Sequence, residues 1–415
     1  MPLPFSRRAT QTAPSFSRDF AGLKTLDHGV GPAITFTRAS NATFFDASGT
    51  LQTAANDTPR FDHDPATAGN PSRGLLIEEA RTNLLIRSAE FTDATWTKTN
   101  VTATDGQSAP DGTTNADAIL ETVDSGLHFT QQTVTVATTA THTYSVFLKA
   151  NGRNFASVFV RENVNSGATY VSATVDLSNG TVSGATVGTA SIQSIGNGWY
   201  RVSLSASIDS GTRYAQVRIR EDASTTSYAG DITKGILAWG AQLEEGAFPT
   251  SYIPTTTAAA TRATDVADIT SISSFYNQVE GTLFAEGVIR KNTDGTPLLF
   301  DDTTQDEVVR ISVLSTGIPS LVVVDGGVSQ AAIGIGSAIT APFTYKMAGA
   351  IKENDFQAAL NGALGTADTS GTMPTLTRLR LGRRLAATGV YNGHIRKVAY
   401  YPRRLSNSLL QQLTT

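Results

Sequence analysis

Residues 199–220 read WYRVSLSASIDSGTRYAQVRIR, and each half of this stretch alternates. In 199–206, Tyr200, Val202, Leu204 and Ala206 fall on one face and Trp199, Arg201, Ser203 and Ser205 on the other. In 214–220, Ala215, Val217 and Ile219 oppose Tyr214, Gln216, Arg218 and Arg220. A side-chain period of two is the signature of a strand with one face buried. The Asp, Ser and Gly between the halves are turn residues. The pattern spreads outward. In 155–161, Ala156, Val158 and Val160 oppose Phe155, Ser157, Phe159 and Arg161; in 143–149, Tyr144, Val146 and Leu148 oppose Phe147 and Lys149. Residues 129–137, 170–176 and 235–244 complete a set of short strands separated by turn clusters, which predicts a β-sandwich or jelly roll.

A second β unit follows the small-residue stretch TTTAAATR at 255–262. Its strands are expected at 281–289, 296–301, 308–314, 320–324, 343–351, 355–360, 377–381 and 393–401. A short helix closes it: Ser406 is the expected N-cap, Leu405 staples onto Leu410, and Leu409, Leu410 and Leu413 form the apolar stripe. Ahead of the first unit, residues 1–35 read as an arm with little to bury. Short strands at 33–36 and 42–45, a turn at Asp46-Ala47-Ser48-Gly49 and a Pro- and Asp-rich loop at 59–70 come next. Gly74 to Glu79 is apolar and then acidic, and it needs neighbours to cover Leu75, Leu76 and Ile77. The expected fold is all-β: an N-terminal attachment and oligomerisation segment (1–87), then two β-sandwich (jelly-roll) domains (88–254 and 263–415) joined by a linker (255–262).

Composition narrows the function classes. A chain of 415 residues exceeds one core. With 32 basic and 36 acidic side chains, the net charge of −4 offers no basic excess for nucleic acid. The absence of Cys excludes disulfides and thiolate metal sites. MPLPFSRRAT lacks the apolar core of a signal peptide, and no apolar run reaches the roughly 20 residues of a membrane span, so membrane insertion is not expected.

Catalytic signatures are missing: no GxSxG, HExxH or Walker loop occurs, and histidines 28, 63, 128, 142 and 394 are scattered. The acidic pairs Asp62/Asp64, Glu78/Glu79, Glu244/Glu245 and Asp301/Asp302 do not suggest two carboxyls facing one bond across a cleft. Asp62-His63-Asp64 reads as a turn or subunit contact before a metal site. Asp46 to Gly49 resembles half a calcium loop, so a structural Ca²⁺ is an open expectation with no ligands assigned. The mixed strand faces carry more. Aromatic rings stack on sugars, and guanidinium forks pair with carboxylates. Trp199, Arg201, Tyr214, Gln216, Arg218, Phe159 and Arg161 are therefore the candidate carbohydrate-binding residues. The competing reading packs these aromatics under loops and leaves the arginines solvated. Trp96 and Trp239 read as core or domain-seam residues.

Five motifs in fixed order, FTRAS (36–40), FFDASGTL (44–51), PRFDHDP (59–65), RGLLIEE (73–79) and RTNLL (81–85), resemble the N-terminal cassette of fibre, spike and adhesin-like proteins of tailed bacteriophages and gene-transfer-agent particles. SAEFTDATWTK (88–98), GNGWYRVSLSA (196–206) and GILAWGAQLEEGAFPTSYIPT (235–255) resemble carbohydrate-binding-module and galactose-binding-like jelly rolls. YNGHIRKVAYYPRRLSNSLLQQL (391–413) is similar to the end of laminin-G and concanavalin-A-like lectin jelly rolls. The resemblance implies a non-enzymatic tail fibre or head spike on the virion surface, made in the bacterial cytoplasm. It implies a homo-oligomer, a trimer or a five-fold spike, that binds host cell-surface polysaccharide and contacts other virion proteins or its own subunits through Leu75, Leu76, Ile77 and Arg81. Two alternatives stay open: a capsule-polysaccharide depolymerase or esterase with lectin-like accessory domains, and a purely structural decoration or connector protein.

Overall fold

The alternating strands in the middle of the chain form two antiparallel sheets of six strands each in the computed structural model, which describes residues 13–162, 169–385 and 389–415. Sheet I runs Thr189–Ser194, Trp199–Ile208, Ala140–Asn151, Gly235–Glu245, Ala116–Glu121, Val101–Gln107. Sheet II runs Thr181–Ser183, Thr169–Asp176, Phe155–Arg161, Gly211–Arg220, His128–Val136, Trp96–Thr99. Their aliphatic faces meet. Val146, Leu148, Val202 and Leu204 of sheet I pack against Val158, Val160, Val217 and Ile219 of sheet II, all at most 1% exposed.

Trp199–Ile208 and Gly211–Arg220 are consecutive strands, yet they lie in different sheets. Local alternation decides which side chains point inward. It does not decide which sheet a strand joins, because hydrogen-bonded partners come from elsewhere in the chain. The polar faces of these two strands therefore look out from opposite sides of the sandwich.

The second sandwich corrects the expected domain plan. Sheet III has the order Ala363–Leu364, Gln357–Leu360, Phe343–Lys352, Glu280–Ile289, Gly393–Tyr401, Ser72–Ile77, Phe61–His63, with Phe16–Asp19 also paired to Gly393–Tyr401. Sheet IV has the order Thr35–Thr37, Val266–Ile269, Arg378–Leu381, Gly295–Asp301, Val308–Val313, Pro319–Asp325, Val328–Gly334. The segment read as a separate attachment arm thus supplies strands to both sheets of the C-terminal sandwich, and Phe16, Phe20, Phe36, Leu75 and Ile77 enter its core. The middle sandwich is an insertion between the two halves of the other. The sequence around residues 16–37 and 61–77 looks too short and irregular for a core because each piece covers only part of a core built from strands roughly 230 to 385 residues later in the chain.

The linker is corrected as well. Ala260–Arg262 is a strand paired with Arg81–Asn83, so the chain enters and leaves the inserted sandwich side by side. Asn83 is fully buried and satisfied there. Its Nδ2 donates to the carbonyls of Ala241 (3.1 Å) and Ile253 (2.9 Å), and its Oδ1 accepts from the amides of Leu85 and Leu243, both at 3.1 Å. A buried amide with all these bonds made fixes position where an apolar residue would not.

The cassette motifs converge on this junction. Arg38 reaches Asp265 at 3.2 Å; Arg60 reaches Asp265 at 2.5 Å and Glu78 at 2.8 Å; Arg262 reaches Glu78 at 3.0 Å. All these side chains are 0–4% exposed. Glu78 also accepts from the Ser251 amide (2.8 Å) and hydroxyl (2.7 Å), which ties the end of the inserted sandwich to the strand 72–77 region.

Gly74 explains one motif letter. Its φ is +94°, and an added Cβ would lie 2.4 Å from the Ile395 carbonyl oxygen on the neighbouring strand. Gly74→Ala is expected to cost about 1–3 kcal/mol from the backbone conformation alone, more once the strands shift. A urea-denaturation midpoint unchanged from wild type would refute this account.

The C-terminal helix, Asn407–Thr414, forms as the sequence indicates. Ser406 caps it by accepting from the Leu409 amide, and Leu405 and Leu410 pack together against Ala348, Ala350 and Ala399 of sheet III.

Candidate functional site

The outward face of sheet II gathers five of the seven candidate residues. Cross-strand register places Arg161 opposite Tyr214, Phe159 opposite Gln216 and Ser157 opposite Arg218. On the other side, Phe129 lies opposite Arg218 and Gln131 opposite Gln216. Period-two geometry puts all of these on the side away from the aliphatic core.

The face is layered. Phe159, Arg161 and Tyr214 are half-buried, and below them Arg218, Gln216 and Gln131 are buried. Gln216 donates to Gln131 Oε1 at 3.0 Å and accepts from Arg218 Nη2 at 3.1 Å. The Arg218 guanidinium sits 4.6 Å from the Phe159 ring centre and 5.8 Å from that of Phe129, and Arg161 lies 5.6 Å from Phe159. Cation–π contact of this kind stabilises an arginine without neutralising it.

Charge is the distinctive feature. Among the described residues, no carboxylate pairs with Arg161, Arg218 or Arg220. Burial, and then repulsion from Arg161 and Arg220, pushes Arg218 down to about 10. Nearby acids are committed elsewhere: Asp222 to Ser224 and Thr225, Asp176 to Ser178, and Glu221 toward Arg153. Arg220 is tied to neutral acceptors, the hydroxyls of Ser157 and Thr174 at 3.0 Å each and the carbonyls of Asp222 and Ala223. Three guanidiniums beside two phenyl rings and a tyrosine, with no paired anion among the described residues, form a surface complementary to a carboxylate carried on a ring. Phe129, Gln131 and Arg220 belong to this face as well. Phe129 and Gln131 lie on a strand whose alternation the sequence shows, but only the register brings them beside Arg218.

Trp199 and Arg201 do not belong to it, which corrects their grouping with the other five. They lie on sheet I and face the domain junction. Trp199 is 3% exposed in a cluster with Phe147, Trp239 and Tyr252. Arg201 donates to the Thr250 carbonyl at 2.7 Å and Ser145 Oγ at 2.9 Å and lies 5.2 Å from the Phe147 ring. Burial pushes Arg201 down to about 10. Arg201→Ala is expected to destabilise the fold by about 1–3 kcal/mol, because the Thr250 carbonyl loses its partner, and to leave saccharide affinity at the sheet II face unchanged. Thermal denaturation together with calorimetric titration reads both effects; lost affinity in a stably folded variant would refute the structural assignment.

The proposed docking residues are buried within the chain rather than presented to a partner. Leu75, Leu76 and Ile77 are 0, 3 and 0% exposed. Their cover is the C-terminal half of the same chain, because Leu75 to Ile77 pair with Gly393 to Ile395. Arg81 pairs with Glu79 and lies over Phe248.

The acids singled out in the sequence serve the framework. Asp62 accepts from the Phe45 amide and faces His394 Nε2 at 2.7 Å; Asp64 pairs with Arg73; Glu244 accepts from Gln242 and Thr250; Asp301 pairs with Arg380. Asp46 spends its carboxylate on Ser48, Thr50 and Gln52, making the 46–49 stretch a side-chain-stapled turn. Among the described residues no group of three or more acidic or histidine side chains is placed to hold a metal ion.

No family model and no curated protein matches the chain. Among solved structures, similarity extends to the Ruminococcus gnavus IT-sialidase CBM40, which also appears bound to alpha2,3 sialyllactose (15% identity, 34% of this chain and 84% of that one, TM-score 0.29). It extends also to domains LG4-5 of the mouse laminin alpha1 chain (9% identity, 68% and 89%, TM-score 0.26) and to Trypanosoma rangeli sialidase in complex with sialic acid (13% identity, 76% and 62%, TM-score 0.26). Scores at this level carry no argument about ligand or activity, so the chemistry rests on this chain's own side chains.

Proposed function

We propose that this protein is a non-catalytic adhesin that binds anionic polysaccharide through the outward face of sheet II, and that it serves as a fibre or head spike of a phage or phage-like particle. The observation that carries the binding assignment is Arg218, a buried guanidinium held between Phe129 and Phe159 with no carboxylate partner among the described residues. Burying an uncompensated charge is costly. A ligand carboxylate would offset that cost, and the phenyl rings and Tyr214 offer stacking surfaces for the sugar that carries it. The particle assignment rests on the ordered cassette motifs at 36–85. Many copies on one particle, as a homo-oligomer, would turn weak single sites into firm attachment.

A panel of acidic and neutral polysaccharides, including host surface polysaccharide, tests this reading. Retention of uronic- or sialic-acid polymers that weakens with added salt, with no retention of neutral glucans, is expected. Equal retention of both, or shortening of the polysaccharide during incubation, would overturn it.

A further inference from the structure

A cleft of about 550 Å³ lies between the two sandwiches, away from the sheet II face. Its size suits a small ligand or a short stretch of polymer. One wall is the edge of sheet I, where register pairs Thr189 with Ser205 and Ser191 with Ser203. The Ser191 and Ser203 hydroxyls are 2.7 Å apart, and Ser205 continues the ladder to Thr143 at 2.7 Å. These hydroxyls can donate or accept, as sugar hydroxyls do. The other wall comes from the C-terminal sandwich and holds Arg290, and the half-buried Phe248 adds an aromatic surface.

Arg290 is the residue that sets this cleft apart from a packing gap. Two other arginines on the same wall are committed: Arg73 to Asp64 at 3.0 Å, and Arg396 to Glu286 at 3.3 Å and the Ser72 carbonyl at 3.2 Å. His394 is held by Asp62. The Arg290 guanidinium makes no hydrogen bond and no ion pair among the described residues, although its backbone amide is fixed to the Asn392 carbonyl. A positioned cation with its donors free faces a ladder of hydroxyls across a ligand-sized gap.

We propose that this cleft is a second saccharide site, distinct from the sheet II face, which takes a carboxylated sugar with its carboxylate on Arg290, its ring against Phe248 and its hydroxyls on the Ser191–Ser203 ladder. Because the walls belong to different sandwiches, an occupant bridges them and resists their separation.

Isothermal titration of the full chain with tetragalacturonate, a hyaluronan hexasaccharide and sialyllactose tests the site, with maltotetraose as the neutral control. The Arg218→Met background isolates the cleft from the sheet II face. At least one acidic probe is expected to bind this variant at one site per chain, and maltotetraose is not. Adding Arg290→Gln should weaken that binding at least tenfold. Adding Ser191→Trp, which fills the cleft from an exposed position, should do the same without touching the core. Failure of every acidic probe to bind Arg218→Met, or binding that survives both Arg290→Gln and Ser191→Trp, overturns the proposal. If Arg218→Met binds as wild type does while Arg290→Gln abolishes binding, the sheet II reading falls and the cleft stands.

Discussion

Glu78→Ala is expected to destabilise the protein by about 3–5 kcal/mol, the largest effect of any single substitution proposed for this chain. The magnitude follows from removing one partner of a buried charge network, which leaves the others uncompensated. Glu78 takes ion pairs from Arg60 (2.8 Å) and Arg262 (3.0 Å) and hydrogen bonds from Ser251. Without it, Arg262 loses its carboxylate partner, and Asp265 is left to pair with both Arg38 and Arg60. The loss falls where the strands entering and leaving the inserted sandwich meet the other one. Early separation of the two sandwiches, read as a second transition in thermal unfolding, is therefore part of the expected result.

The same network has a pH signature. Burial alone would raise the Glu78 carboxyl, but Arg262, Arg60 and the Ser251 bonds override it and hold the group well below its ordinary value of 4.5. A depressed carboxylate stabilises the fold above its unfolded-state value, and that contribution is lost as pH falls below it. Wild-type stability should therefore decline as pH drops below about 4.5, whereas Glu78→Gln should start lower and decline less over the same range. Urea denaturation at pH 7 and pH 4 measures both. Parallel losses in the two proteins would mean that the Glu78 charge does not hold the junction.

Arg218→Met should separate binding from stability in the opposite sense. A charge-assisted hydrogen bond is worth about 1.5–3 kcal/mol, so affinity for an acidic polysaccharide at the sheet II face should fall roughly 10- to 150-fold. Stability should stay level or rise, because methionine retains much of the packing against Phe129 and Phe159 and removes a buried charge that has no carboxylate partner among the described residues. A purely structural arginine would show the reverse, lost stability and retained binding, and that outcome would refute the assignment. Arg161→Gln, at the half-buried upper layer of the same face, should weaken binding less and flatten its salt dependence.

Local pattern carried much of this molecule. The alternation of Phe155–Arg161 and Gly211–Arg220 identifies strands and faces, and the structure places Phe159, Arg161, Tyr214, Gln216 and Arg218 on one surface. Ser406 and Leu405 likewise mark the closing helix, because capping is settled within one turn. Trp199 and Arg201 were misplaced for the converse reason. Their alternation matches that of residues 214–220, but the two-residue connection between the strands crosses from one sheet to the other.

The sequence by itself determined an all-β chain, the inward and outward sides of most strands, the helix cap, and a set of exposed-pattern arginines and aromatics suited to acidic sugars. These features depend on neighbours a few residues apart, where side-chain period and turn chemistry act directly. Only the tertiary structure decided that residues 16–77 complete the C-terminal sandwich, that Arg38, Arg60, Glu78, Arg262 and Asp265 form one buried network, and that Arg290 faces a hydroxyl ladder across a cleft. Each joins residues separated by up to several hundred positions. Their pairing is selected by burial of a shared core and by mutual neutralisation of charge, and neither leaves a trace in local periodicity.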